Sequence, residues 1–413
     1  MSKAEGKTST DCGRRPRDRT LAAHAGRDPS AHAGAVNTPV HRASTIVFPT
    51  LAAFRQSRKT LPGDAVTYGV HGTPSTFALE EAVARLEGGH RTRLAPSGLM
   101  AVSGPLLSVL KPGDHLLVAD SVYQPTRMFC HGMLQRLGVR TEFYDPLIGE
   151  GIRELLRPDT RAVFLESPGS QTFEMQDVPA IARIAREAGV TTMLDSTWAS
   201  PLFCKPLALG VDLSIHAGTK YIAGHSDLLI GTVTATEAAY PAIRDGWNQM
   251  GICVSPDDAY LTLRGLRSMP ARMAMQQESA LQVAAWLRGR PEVEAVLYPA
   301  LAGDPGHDIW KRDCRGASSL FGFALRPELS GSEAALAAMF DSMKLFALGF
   351  SWGGFESLLI PTHPDRIRTA APWPRPGGPA GQLLRIHVGL EDPQDLIEDL
   401  DAGFARLRAA LAR

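Results

Sequence analysis

The sequence predicts an α/β protein: a mainly parallel sheet covered on both faces, followed by a smaller α+β C-terminal unit. Two observations carry this. Between residues 114 and 215, four short apolar runs alternate with helical segments, the pattern of strands buried on both faces and joined by crossover helices. Past Met269 the rhythm changes to one long helical stretch, short strands and a terminal helix. A chain of 413 residues also has room for two or three cores at roughly 150 residues per domain.

Taken in order, residues 1–72 show no sustained helical or strand rhythm and are rich in Pro, Gly, Ala and polar side chains. They read as an N-terminal arm that packs on something else, its polar head up to about residue 19 disordered. Ser75–Leu86 carries apolar residues at helical spacing and is closed by Glu87, Gly88 and Gly89. Strands are expected over Asp114–Asp120, Arg161–Glu166, Thr191–Asp195 and Val211–Ile215, with helices over Leu99–Leu110, Pro125–Leu137 and Pro179–Ala188. Then follow a helix over Ala271–Arg288, strands at Val296–Tyr298 and Ser319–Leu325, a helix over Gly331–Phe340 and a last helix from Pro393. Pro361–Pro379, rich in Pro and Gly, reads as a loop. The division expected is an arm (1–72), a large domain (73–268) and a small domain (269–413).

Lys plus Arg and Asp plus Glu both count 43, so the net charge is zero, and no basic stretch is interleaved with aromatics. This disfavours a nucleic-acid or anionic-membrane partner. The five cysteines, Cys12, Cys130, Cys204, Cys253 and Cys314, are widely spaced without C-x-x-C. Free thiols in a reducing compartment fit better than a disulfide framework or a zinc site, so no metal is expected. No apolar run approaches the ~20 residues of a membrane span. The N-terminus has no apolar signal core, and a cytoplasmic location is expected.

One lysine stands out. Lys220 lies in H-A-G-T-K-Y-I-A-G-H-S-D (His216–Asp227), among small residues just after an expected strand. Such a lysine suits a Schiff base with a carbonyl cofactor. Pyridoxal phosphate (PLP) needs that lysine, a carboxylate for its ring nitrogen, a phosphate cradle and a stacking aromatic. Asp195 ends an apolar strand in M-L-D-S-T-W. Gly98 and Leu99, in P-S-G-L-M, open a helix whose N-terminus favours an anion. Tyr123, in D-S-V-Y-Q-P, follows the preceding strand. Arg385, in L-L-R-I-H-V-G, lies among apolar residues and suits an α-carboxylate as well as it suits an internal ion pair. His387, two residues on, reads as structural.

These residues, with L-E-G-G (Leu86–Gly89), T-K-Y-x-x-G-H-S-D (Thr219–Asp227), S-W-G-G-F-E-S (Ser351–Ser357) and H-V-G-L-E-D (His387–Asp392), resemble the Cys/Met-metabolism family of PLP enzymes, most closely its cystathionine β-lyase branch. The resemblance implies the fold-type I PLP-dependent transferase-like fold and a homotetramer of dimers that share active sites. It implies Lys220 as the cofactor lysine and base, Asp195 as the ring-nitrogen partner, and Tyr123 as the stacking and proton-donating phenol. Gly98, Leu99, Thr219 and Tyr68 would hold the phosphate, Tyr68 from the neighbouring subunit. Arg385, Ser351 and Trp352 would bind the substrate, a sulfur amino acid. The activity implied is carbon–sulfur β-elimination of cystathionine or a related cysteine S-conjugate. Cysteine desulfhydrase, γ-lyase or γ-synthase chemistry, and a PLP-binding regulator with vestigial catalysis, are the alternatives. The chain departs from the family at Val70, where an arm arginine is usual, and at Ala217, where many relatives carry serine.

Overall fold

Seven strands build the larger sheet of the computed structural model, which describes residues 16–412. Most of the expected disordered head thus lies outside the described residues. The strands are β1 (Arg91–Ala95), β2 (His115–Ala119), β3 (Arg140–Tyr144), β4 (Thr160–Glu166), β5 (Thr191–Asp195), β6 (Leu213–His216) and β7 (Gly231–Ala235). Their order is β1-β7-β6-β5-β4-β2-β3. β2 pairs in parallel with β3 and β4, β4 with β5, and β5 with β6. Only β7 runs against its neighbours, β6 and β1. A second sheet, entirely antiparallel, follows the order β10-β11-β9-β8. It comprises β8 (Val293–Leu297), β9 (Leu320–Leu325), β10 (Leu358–Thr362) and β11 (Leu383–His387).

The four strands expected from apolar runs all form, within a residue or two of the expected ends. In the larger sheet the sequence reading missed β1, β3 and β7, for two physical reasons; in the smaller sheet it missed β10, whose Pro361 and Thr362 fall in the expected Pro361–Pro379 loop. β1 and β3 are the sheet's edges, so R-T-R-L-A and R-T-E-F-Y break the apolar run with charge: Arg91 and Arg140 are exposed, while Arg93 is buried and pairs with Glu80 at 3.5 Å. β7 is central and fully buried, but G-T-V-T-A contains few apolar side chains. Its Thr234 hydroxyl is instead satisfied by Thr92 across the ladder, at 2.8 Å.

Pro270 misled the reading in another place. Proline disfavours a helix interior because it removes a hydrogen bond, so the helix was expected to begin at Ala271. It spans Pro256–Arg288, with Ser255 capping its start and Pro270 inside. The helix therefore runs across the expected boundary near residue 269. Similarly, among the described residues up to 72 there are two short α-helices, Asp18–His24 and Leu51–Ser57, too short to leave a periodic signal. The expected helix Pro125–Leu137 becomes an α-turn, Gln124–Phe129, followed by a π-helical stretch, Cys130–Leu134.

Each sheet has its own apolar core. β2, β4, β5 and β6 pack with the helices Gly98–Val109 and Val178–Glu187 around residues such as Phe164, Leu165 and Ile184. The second core joins β9 and β11 to the C-terminal half of Pro256–Arg288 and to the helix Pro393–Leu411. Among the described residues no helix is long and apolar enough to cross a membrane.

Asp120, directly after β2, clamps the expected Pro361–Pro379 loop to the larger sheet. Its buried carboxylate accepts the N–H groups of Thr369, Ala370 and Ala371 at 2.8–3.1 Å and pairs with Arg127. Those donors hold the Asp120 carboxyl below its usual pKa although burial pushes it up. Removing one partner of a buried charge cluster leaves the others unpaired, at a cost of about 3–5 kcal/mol. Asp120→Ala is therefore expected to lower the unfolding free energy, measured by urea titration, by that amount, and a change below about 1 kcal/mol would contradict the clamp.

Candidate active site

A cavity of about 280 Å³ lies between the two sheets, near the lower end of the usual ~300–1,000 Å³ of ligand sites. The parallel strands explain its place. Glu166 ends β4, Asp195 ends β5, and the chain leaving β6 turns through Ala217, Thr219 and Lys220. Gly98 and Leu99 start the helix Gly98–Val109 beside them. β11 delivers Arg385, and the segment before β10 delivers Ser351 and Trp352. A larger cavity, about 1060 Å³ beside Asp18, Glu87 and Arg315, contains none of these residues.

Lys220 is the hub. Its Nζ donates to Ser351 Oγ at 2.6 Å and lies 5.2 Å from the Trp352 ring centre. Burial lowers its pKa to about 8, Arg385 adds to the effect, and Asp195 opposes it. A lysine that is partly neutral near neutral pH can act as nucleophile or base. Arg385 donates to the Ser351 carbonyl at 3.0 Å. Burial lowers its pKa only to about 10, so it remains a cation.

Asp195 Oδ1 accepts from the Thr197 N–H at 3.0 Å and the Thr197 hydroxyl at 2.5 Å. That leaves Oδ2 as the oxygen available to a ligand. Glu166 lies level with Asp195 in the β4–β5 register. Burial and Asp195 push the Glu166 carboxyl well up, while only the Tyr123 N–H, at 2.7 Å, favours its charge. Burial raises Asp195 as well, but Thr197, His216 and Lys220 all favour its carboxylate. Both carboxyls are thus pushed up, Glu166 the more strongly because it has fewer groups that favour its charge. Burial, with Glu166 second, also raises Tyr123 and keeps it a phenol.

The sequence reading missed Glu166 and Thr197. L-E-S-P and L-D-S-T are parallel signals of acids at neighbouring strand ends, which could have pointed to Glu166. Thr197 follows its aspartate at the spacing of a local side-chain turn. Thr219 lines the cavity, yet its hydroxyl donates to the Ile230 carbonyl at 3.1 Å and accepts the Ile230 N–H at 2.9 Å. The structure does not bring Tyr68 to the cavity of its own chain; its side chain is 47% exposed elsewhere.

His387 holds the Ser351–Gly353 turn. Its Nε2 accepts the Gly353 N–H at 2.9 Å, and Nδ1 donates to the Glu356 carbonyl at 3.0 Å. Gly353 adopts φ +84°, and a Cβ there would sit 3.0 Å from the Lys220 backbone. Ser351, with φ +83°, takes the same left-handed region without being glycine, a strain of about 1–3 kcal/mol.

These residues fit pyridoxal phosphate. Ser97 caps the Met100 N–H, so Gly98 and Leu99 have the N–H groups left for an anion at the helix start. A Cβ on Gly98 would lie 2.6 Å from the Ala217 Cβ, so only glycine lets the helix start approach the lysine turn so closely. Beside this cradle are an amine, a carboxylate and an aromatic ring at the edge of one cavity.

Fold and site together define a PLP-dependent enzyme of amino-acid metabolism. The family model described as "Cys/Met metabolism PLP-dependent enzyme" matches residues 19–405, and the chain belongs to that family. It is 48% identical over 394 residues to a putative cystathionine beta-lyase of Rhizobium johnstonii, covering 94% of this chain and 96% of the relative. Cystathionine beta-lyase MetC of Escherichia coli is 43% identical over 393 residues, covering 94% and 98%. A cystathionine gamma synthase of Xanthomonas oryzae, solved with aminoacrylate and cysteine, superposes with a TM-score of 0.85 at 32% identity, covering 96% and 99%.

Two pH effects follow. In the cofactor-free protein the Lys220 amine is protonated below about pH 8 and neutral above it. Its rate of condensation with the cofactor aldehyde, read by stopped-flow absorbance, should rise with pH and level off above about 8. Arg385→Leu removes a cation that favours the neutral amine, so the midpoint should move up; an unmoved midpoint would refute the coupling. Burial chiefly pushes His387 down to about 3 from 6.5. Its stabilising contribution is complete above pH 6.5 and falls as the pH drops towards 3, because only the unfolded chain takes up the proton. His387→Gln should flatten the melting-temperature profile across that window.

Proposed function

We propose that this chain is a PLP-dependent carbon–sulfur β-lyase that converts cystathionine, or a related cysteine S-conjugate, and water to a thiol, pyruvate and ammonia. From cystathionine the thiol is homocysteine. The observation that carries the reading is the convergence of Lys220, Asp195 and Arg385 on one cavity. The names of relatives at 42–48% identity over 94% of the chain support the β-lyase assignment.

In this reading Gly98 and Leu99 hold the cofactor phosphate, Asp195 its ring nitrogen, Tyr123 its ring face and Lys220 its aldehyde. The bound cofactor supplies an electron sink for the charge that develops at the substrate Cα. Arg385 fixes the α-carboxylate, and Ser351 and Trp352 shape the adjoining wall. With substrate in place, the free Lys220 amine would take the Cα proton on its neutral Nζ, steered by the Ser351 hydroxyl. Its lowered pKa suits that task. As the Cβ–S bond breaks, Lys220 or the Tyr123 phenol gives a proton to the leaving sulfur.

Assembly as a tetramer of dimers, with Tyr68 reaching the neighbour's phosphate, and a cytoplasmic location belong to the same proposal. So does the division into an arm (1–72), a large domain (73–268) and a small domain (269–413).

Lys220→Ala should lower turnover by about a thousandfold or more and abolish the cofactor–lysine absorbance band; near-native elimination would sink the assignment. Arg385→Ala should raise KM about 10- to 100-fold, the worth of a charge-assisted hydrogen bond, with less effect on kcat. Product analysis separates the chemistries, because β-elimination yields pyruvate and γ-elimination yields 2-oxobutyrate.

A further inference from the structure

Cys204 and Cys314 end two short helices, Ser200–Phe203 and His307–Asp313, and both have extended backbones. They oppose each other as an isolated antiparallel bridge. The Arg315 N–H donates to the Phe203 carbonyl at 2.8 Å. The bond is therefore carried by the cysteines' neighbours, and the cysteines occupy the non-hydrogen-bonded position of the bridge. At such positions Cα atoms lie about 4.5 Å apart and side chains are closest, within the ~4.4–6.8 Å that disulfides span.

Both thiols are free, Cys204 buried and Cys314 half-buried. The neighbouring Cys204 first, then burial, then the charge of Asp313 push the Cys314 pKa up. The turn around Cys314 is rigidly seated. Trp310 Nε1 donates to the Gly316 carbonyl at 3.0 Å, and Gln277 Oε1 accepts the Ala317 N–H at 2.6 Å.

The connection matters because of what each cysteine follows or precedes. Cys204 ends the segment that leaves Asp195, and Cys314 begins the segment that enters β9, whose Leu320 lines the same cavity. One hydrogen bond already spans these segments, from Trp198 Nε1 to the Leu320 carbonyl at 2.7 Å.

We propose that Cys204 and Cys314 form a reversible disulfide that locks the Asp195-bearing segment to the β9 segment and holds the cavity at one width. The oxidant is a low-molecular-weight disulfide. The more accessible Cys314 gives up its proton to solvent, a slow step because its pKa is raised, and the thiolate attacks one of the small disulfide's sulfurs and releases one thiolate. Cys204 then loses its proton to solvent and displaces the second. The two protein thiols lose two electrons and two protons, and the small disulfide becomes two thiols. The reverse step takes two equivalents of a monothiol, the class of molecule that the proposed elimination releases. The bridge itself does not depend on that reading.

The test incubates holoenzyme in glutathione redox buffers, alkylates the remaining thiols and maps peptides by mass spectrometry. The expected result is a Cys204–Cys314 cross-linked peptide, reversed by dithiothreitol, with Cys130 still free. The oxidised enzyme should melt several degrees higher and turn over more slowly. Cys204→Ser and Cys314→Ser should each remove both changes and keep the reduced enzyme's turnover. If either variant fails to fold, peptide mapping and melting of the unaltered chain decide. Glutathione retained on Cys314 without ring closure would overturn the proposal. A bridge that forms without changing melting or turnover would overturn the lock.

Discussion

Burial of Lys220 at the seam between the two sheets is the constraint on which the rest of the site depends. Taking an ammonium out of water is expensive, so the amine yields part of its charge and its pKa falls to about 8. Burial pushes the neighbouring Asp195 up, and two donors from Thr197 oppose that push. Glu166, offered one backbone N–H and facing Asp195, is pushed up further. Two carboxyl groups side by side thereby differ through their surroundings alone.

The same burial explains the scaffold around Ser351. A hydroxyl must meet Lys220 and a carbonyl must meet Arg385, and one residue supplies both. That double demand forces Ser351 into a left-handed backbone, and the following Gly353 must pass against Lys220 without a Cβ. His387, kept neutral by burial, ties the turn to β11. Farther out, Asp120 gathers three consecutive N–H groups, and Arg375 reaches both Glu174 and Asp145. A loop rich in proline and glycine, unable to form a ladder of its own, is held by charge.

Much of this was legible in the sequence. Parallel strands buried on both faces must be written as continuous apolar runs, so β2, β4, β5 and β6 announced themselves. Their carboxyl ends located Asp195 and Lys220, and a glycine before a helix located the anion cradle. Less was legible where the demand is local or one-sided. Edge strands tolerate charge, Thr-rich β7 pairs its Thr234 hydroxyl across the ladder, and Pro270 sits in a helix that long-range packing sustains. Nor could the sequence show that the Thr219 hydroxyl is engaged by Ile230.

By itself, then, the sequence determined the fold class and the family motifs, because these depend on periodicity and short spacings. Only the tertiary structure decided the pairings between residues distant in the chain. Ser351 with Lys220, Glu166 beside Asp195, His387 under Gly353 and Cys204 opposite Cys314 are all of this kind. The physical reason is that the protonation state and reach of each group are set by desolvation and by the partners that packing delivers, and neither is written in the local sequence.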